Sequence, residues 1–146
     1  CKFTNFKTDG SAGHNSSFPD TDFFLMRAAE AYLIYAEADA RMNGGTTTTD
    51  GAQYINDVRR RAHATTHTAY SLRQICDEWS REFYFEGLRR TTLIRFGYFG
   101  GNVNYNWSWK GGVKSGRNFD THLNLFPIPS SDLTANGNLV QNQGYN

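Results

Sequence analysis

The sequence predicts a mostly α fold, built from tetratricopeptide-like helical hairpins with long loops and short extended C-terminal segments. Three observations predict it. An alanine-rich stretch from about Asp22 to Asn43 carries apolar residues at helical spacing and stops at Gly44-Gly45. Two further helical stretches open on capping pairs, Asp50 with Gln53 and Ser71 with Gln74. After Gly97 the periodicity gives way to a Gly/Asn-rich aromatic stretch and then to Leu125-Phe126-Pro127-Ile128-Pro129.

The chain has 146 residues, enough for one domain with its own core. Residues 1–21 are rich in Ser, Thr, Asn and Gly and read as an arm or loop; 22–97 as the helical region; 98–146 as an aromatic loop and C-terminal segment. In the first helix, Arg27, Glu30, Ile34, Glu37 and Arg41 share one stripe. Leu25, Ala29, Tyr32 and Ala36 form a second, with Leu33 and Ala40 beside it. The many alanines allow a neighbouring helix to come close. In the second helix Ala52, Ile55, Val58 and Ala62 mark the buried face. The Gly/Thr loop between the two is short, so they are expected to pack as an antiparallel hairpin burying Leu25, Tyr32, Ala36, Ile55 and Val58. One hairpin cannot bury both its faces and needs neighbours. The third helix carries Leu72, Ile75, Cys76, Trp79 and Phe83 at helical spacing, and a fourth piece runs from about Leu88 to Phe96. Pro127 and Pro129 hold residues 123–129 extended, and Ser130-Ser131-Asp132 can cap one helical turn.

Charge excludes one class of function. Fifteen basic and 14 acidic residues leave a net charge of +1, without the excess a nucleic-acid binder carries, and Arg59-Arg60-Arg61 reads as a solvated or partner-facing helical turn. No apolar stretch approaches the roughly 20 residues of a membrane span. Cys1 and Cys76 do not make a disulfide framework. There is no initiator Met and no signal-peptide pattern, so the chain reads as processed or excised.

Four segments, in order, resemble the SusD/RagB family. They are Met26-Arg27-Ala28-Ala29-Glu30-Ala31-Tyr32-Leu33 continuing to Ala36-Glu37-Ala38; Ile55-Asn56-Asp57-Val58-Arg59-Arg60-Arg61-Ala62; Arg81-Glu82-Phe83-Tyr84-Phe85-Glu86-Gly87-Leu88-Arg89 continuing to Leu93-Ile94-Arg95-Phe96-Gly97; and Leu125-Phe126-Pro127-Ile128-Pro129 with Asn138, Leu139, Gln141, Asn142, Gly144 and Tyr145. Trp107, Trp109 and Lys110-Gly111-Gly112 are similar to a subset of the family. Trp79, Thr92 and Gln143 depart from the family pattern, which bears on local salt bridges rather than on the fold. The resemblance implies the C-terminal part of a SusD-like protein, since family members run to several hundred residues and begin with a lipid-modified Cys. Cys1 is read as a fragment boundary rather than that anchor. The implied function is non-enzymatic: glycan binding at the outer-membrane surface, with delivery of oligosaccharides to a SusC-like TonB-dependent transporter. The implied membrane attachment is a lipid anchor on the full-length parent, and no cofactor is implied.

Glu78, Glu82 and Glu86 repeat every four residues and share a helix face. Interleaved with arginines, they read as structural ion pairs rather than an acid–base pair, since such carboxylates have lowered pKa values. Glu82, Glu86, Arg89 and Arg95 are expected to form the network. His63 and His67 have a zincin-like spacing but no intervening glutamate and no third ligand, so no metal site is expected. No nucleophile elbow or phosphate loop is present, so no catalytic residue is assigned. Tyr105, Trp107 and Trp109 alternate on an Asn-rich loop. Their rings could stack on sugars while amides take the hydroxyls. The favoured expectation is that they plug the gap between the helices and the C-terminal segment.

Overall fold

The computed structural model describes residues 3–145. Cys1 falls outside the described residues. The architecture is helical: among the described residues there are five α-helices, two short 3-10 turns and no strands. The chain divides into two compact units, Cys1–Gly87 and Leu88–Asn146.

The first unit holds α1 (Ala28–Met42), α2 (Thr49–Arg61) and α3 (Leu72–Glu82), packed on one another. Helix α1 ends where Gly44 and Gly45 adopt positive φ, and the Gly45 N–H returns to the Ala40 carbonyl. The hairpin with α2 is antiparallel. Asp39 meets the start of α2, whereas Tyr35 and Tyr32, further back along α1, meet the Tyr54 ring tilted and edge-on, further along α2. Asp39 accepts from the Thr48 N–H (2.6 Å) and hydroxyl (2.9 Å), and Thr48 in turn caps α2 by accepting from Gly51 N–H. A β-carbon at Gly51 would overlap the Asp39 carboxylate, so this close approach requires glycine. The cap sits two residues earlier than the Asp50–Gln53 pairing suggested.

The buried stripe of α1 is Leu33, Ala36, Glu37 and Ala40. It packs with Ala52, Ile55 and Val58 of α2 and with Ile75, Cys76, Trp79 and Phe83 around α3 in the core of the unit. Two expected core residues are not in it: Leu25 is 89% exposed and Tyr32 lies at the edge of the face, 37% exposed. For Leu25 the reason is where α1 begins. Arg27 is extended (φ −151, ψ 158), so residues 22–27 never join the helix. Tyr32 is inside the helix but falls at the edge of the packed face, because the buried stripe runs through Leu33, one position and about 100° away. Helix α3 opens on the expected capping box, with Ser71 accepting from Gln74 N–H and the Gln74 side chain accepting from Ser71 N–H.

The second unit holds α4 (Arg89–Arg95) and α5 (Ser130–Ala135), with 3-10 turns at Lys110–Gly112 and Thr121–Asn124. Leu93, Thr92, Tyr105 and Lys110 are buried in it. Its C-terminal segment shows what replaces strand pairing around two prolines. Pro127 and Pro129 have no N–H to donate. The Ile128 N–H between them goes to Gln141 Oε1 (2.8 Å), and Gln141 Nε2 returns to the Ile128 carbonyl (2.9 Å). Asn142 Nδ2 donates to the Phe126 carbonyl and Tyr145 Oη to the Leu125 carbonyl, each at 2.8 Å.

Candidate functional site

The acidic cluster lies in the first unit. Extended Arg27 aims its guanidinium at the end of α3. Its Nε and Nη2 bind Glu86 at 2.9 and 2.8 Å in a two-point pairing; Nη1 binds Glu82, and Nη2 also donates to the Glu82 carbonyl at 2.7 Å. The Phe83 ring lies 4.0 Å beneath the guanidinium carbon. Burial works against the Arg27 charge, but the hydrogen bonds it donates to Glu86 and Glu82 outweigh it and raise the Arg27 pKa. Glu82 also accepts from Arg61 at 2.6 Å, and Glu78 from Arg59 and Arg81 at 2.6 and 2.7 Å. Spacing along the chain showed Arg81, three residues from Glu78. It gave no signal for Arg27, 59 residues from Glu86, or Arg61, 21 residues from Glu82. Of the two expected arginines, Arg89 donates to Tyr105 Oη (2.9 Å) and Arg95 stacks over Phe96. A carboxylate locked between guanidiniums is a poor proton donor, so this cluster is suited to holding the turn at Phe83–Gly87 rather than to acid–base chemistry.

A concavity of about 350 Å³ beside it is lined by Arg59, His67, Tyr70, Gln74, Glu78 and Arg81 among others. Its polar groups are already engaged: Arg59 Nε donates to the Thr65 carbonyl, and Tyr70 Oη donates to Asn56 Oδ1 at 2.5 Å. Among the described residues no group of three His, Cys, Asp or Glu side chains is placed to hold a metal. No described helix is long and apolar enough to cross a membrane.

The aromatic loop lies in the second unit, and its three rings have different environments. Tyr105 is 6% exposed, stacks flat on Tyr98 (centroids 4.7 Å apart, 5° between planes) and accepts from Arg89. Trp107 is 38% exposed and meets Phe119 edge to face at 6.2 Å. Trp109 is 65% exposed. Packing therefore accounts for Tyr105 and in part for Trp107, but not for Trp109. Lys110, which the sequence did not single out, is 1% exposed. Its Nζ donates to the Tyr105 carbonyl (3.0 Å) and lies 4.9 and 5.0 Å from the Trp107 and Phe119 ring centres. Burial without an opposing carboxylate lowers its pKa. An alternating run ending in Trp-Lys-Gly-Gly was the available signal for this residue.

The helical hairpin, the Arg27-centred turn and the Gln141-zipped Pro-Ile-Pro segment are also the places of the four family-like segments. The SusD family model matches residues 1–145. The chain belongs to the SusD family. It is 45% identical over 145 residues to the starch-binding protein SusD of Bacteroides thetaiotaomicron, an alignment covering 99% of this chain and 25% of that protein. Among solved structures, surface glycan-binding protein A from Bacteroides uniformis matches with a TM-score of 0.66 and 25% identity, over 94% of this chain and 30% of that one. A SusD superfamily protein from Bacteroides vulgatus matches with a TM-score of 0.65 and 27% identity, over 92% and 31%. This SusD-family chain thus spans about a quarter of the length of the starch-binding relative.

Proposed function

We propose that this chain is part of a glycan-binding component of a cell-surface polysaccharide uptake system. In this reading the intact protein captures oligosaccharides at the outer membrane, held there by a lipid anchor, and passes them without hydrolysis to a SusC-like TonB-dependent transporter. The observation that carries the reading is the 45% identity to a starch-binding protein, sustained over 99% of this chain. The locked acidic cluster supports a binding role rather than a catalytic one. Titration calorimetry of the intact protein with maltoheptaose, xylohexaose and mannohexaose tests it. Binding of at least one, with the oligosaccharide recovered uncleaved, is expected; failure to bind any, or release of shorter products, would overturn it.

A second reading, a helical protein–protein interaction module without a sugar site, is favoured by one observation. Phe18, Phe23, Phe24, Leu25 and Met26 are each more than half exposed within nine residues of chain. Affinity capture from solubilised outer membranes separates the two, since an interaction module would retain a membrane partner while binding none of the glycans.

A further inference from the structure

We infer that Trp109 is a carbohydrate-stacking platform, receiving the apolar face of a hexopyranose, and that Lys110 is its positioning residue. The inference rests on the glycan-binding reading above. From Asn102 to Trp109 polar and apolar residues alternate, and from Tyr105 onward the apolar members climb out of the unit. Exposure rises from 6% at Tyr105 through 38% at Trp107 to 65% at Trp109. The last ring therefore contributes little to the core.

Its backbone is nonetheless in the left-handed region, at φ 67 and ψ 7. A side chain of that size is disfavoured there, and glycine would adopt the same conformation without strain. The turn keeps a bulky aromatic in an unfavourable conformation and displays it to solvent. Such outliers, held by surroundings that over-determine them, cluster at binding sites.

The surroundings here are specific. Trp109 N–H donates to the Lys114 carbonyl (3.4 Å), and its own carbonyl accepts from Gly112 N–H (3.0 Å). Lys110 fastens the base of the turn. Its N–H donates to the Trp107 carbonyl, its carbonyl accepts from Arg117 N–H, and its buried ammonium binds the Tyr105 carbonyl beside the Trp107 and Phe119 rings. The Trp107 face is thus partly taken by the ammonium, whereas among the described residues no ring or cation is stacked on Trp109.

The setting of the indole selects the ligand class. Ser108 and Lys114 near it in the chain are exposed and polar and Gly112 is exposed without a side chain, with Val113 the apolar exception. Protein hot spots sit in desolvated apolar patches ringed by neutral contacts. A sugar instead presents one apolar face rimmed by hydroxyls, which a single ring with polar neighbours can match.

The test uses the intact protein with maltoheptaose, xylohexaose and mannohexaose, read by titration calorimetry and tryptophan emission. Trp109→Ala is expected to weaken the bound oligosaccharide about threefold to tenfold. Trp109→Phe is expected to restore part of the loss, and Trp109→Gly to show the same loss with a melting temperature unchanged or raised. Lys110→Met is expected to weaken binding and to shift the emission of the remaining tryptophans. If Trp109→Ala binds as the parent does, the inference fails while the glycan-binding function stands. If the parent binds none of the three, both fail. A marked fall in the melting temperature of Trp109→Gly would make the ring structural, and loss of a protein partner without loss of glycan would assign it to the other class; either result overturns the inference.

Discussion

Glu86 and Arg27 meet in a two-point ion pair whose carboxylate side chain is 4% exposed and whose guanidinium is 20% exposed. Removing one partner of a buried pair leaves the other charge without compensation, which costs roughly 3–5 kcal/mol. Arg27 would keep Glu82, so Glu86→Ala should fall near the lower end, about 3 kcal/mol, read by denaturant unfolding. Ligand affinity should not change. The contrast is Arg60→Ala, which breaks an exposed pair with Asp57 and should cost about 0–1 kcal/mol. Lys110 offers a different measurement at the same scale. Burial depresses its folded pKa below the ordinary 10.5. Between the two values the unfolded chain binds the proton more tightly, so this residue's contribution to stability is fully present above 10.5 and is lost as pH falls through the folded pKa. Tyr70, whose pKa burial raises above 10.0, acts in the opposite sense, favouring the folded state most below 10.0. Carbon-detected NMR of the lysine Cε should therefore show Lys110 titrating below the exposed lysines, and Lys110→Met should remove its share of the pH slope; a midpoint at or above 10.5 would contradict its burial.

Two boundaries set by local chemistry formed where their signals stood, whereas α2 is capped by Thr48 rather than by the Asp50–Gln53 pair. The Ser71–Gln74 capping box needs only residues three apart, and it starts α3 as read from the sequence. The glycines after α1 end it for the same local reason. The start of α1 was not legible, because Arg27 is held extended by carboxylates at the far end of α3. Leu25 therefore lies outside the helix and exposed, whereas Tyr32, inside it, falls at the edge of a buried stripe that runs through Leu33. The Pro127-Ile128-Pro129 segment was legible as extended chain but not as a zipped one, since its partner Gln141 lies 13 residues on. Gln141→Ala should leave the Ile128 N–H and carbonyl without these partners. Loss of buried hydrogen-bond partners costs about 1–3 kcal/mol per group, and partial exposure puts this pair at the low end. Amide exchange at Ile128 should accelerate clearly, with α3 amides unchanged. Unchanged protection at Ile128 would mean that the prolines alone hold the segment.

For the whole molecule, the exposed run from Phe18 to Met26 and the quarter-length match to the starch-binding relative bear on what the chain does by itself. One displayed indole is a shallow site, and association must first offset the freedom lost on binding. Glycan binding by this 146-residue chain in isolation should therefore lie in the millimolar range, about −4 kcal/mol, or be undetectable by calorimetry. Micromolar affinity from the isolated chain would show a complete site within it. The sequence by itself determined the helical class, the α1–α2 hairpin, the α3 cap and the family, because periodicity, caps and ordered motifs act over a few residues and survive in linear order. The tertiary structure alone decided which arginines hold Glu82 and Glu86, that Tyr105 is packed while Trp109 is displayed, and that Lys110 is buried beneath them. Those outcomes depend on which side chains meet across separations of 5 to 59 residues and on how much water each then loses, and neither quantity is encoded at any one position.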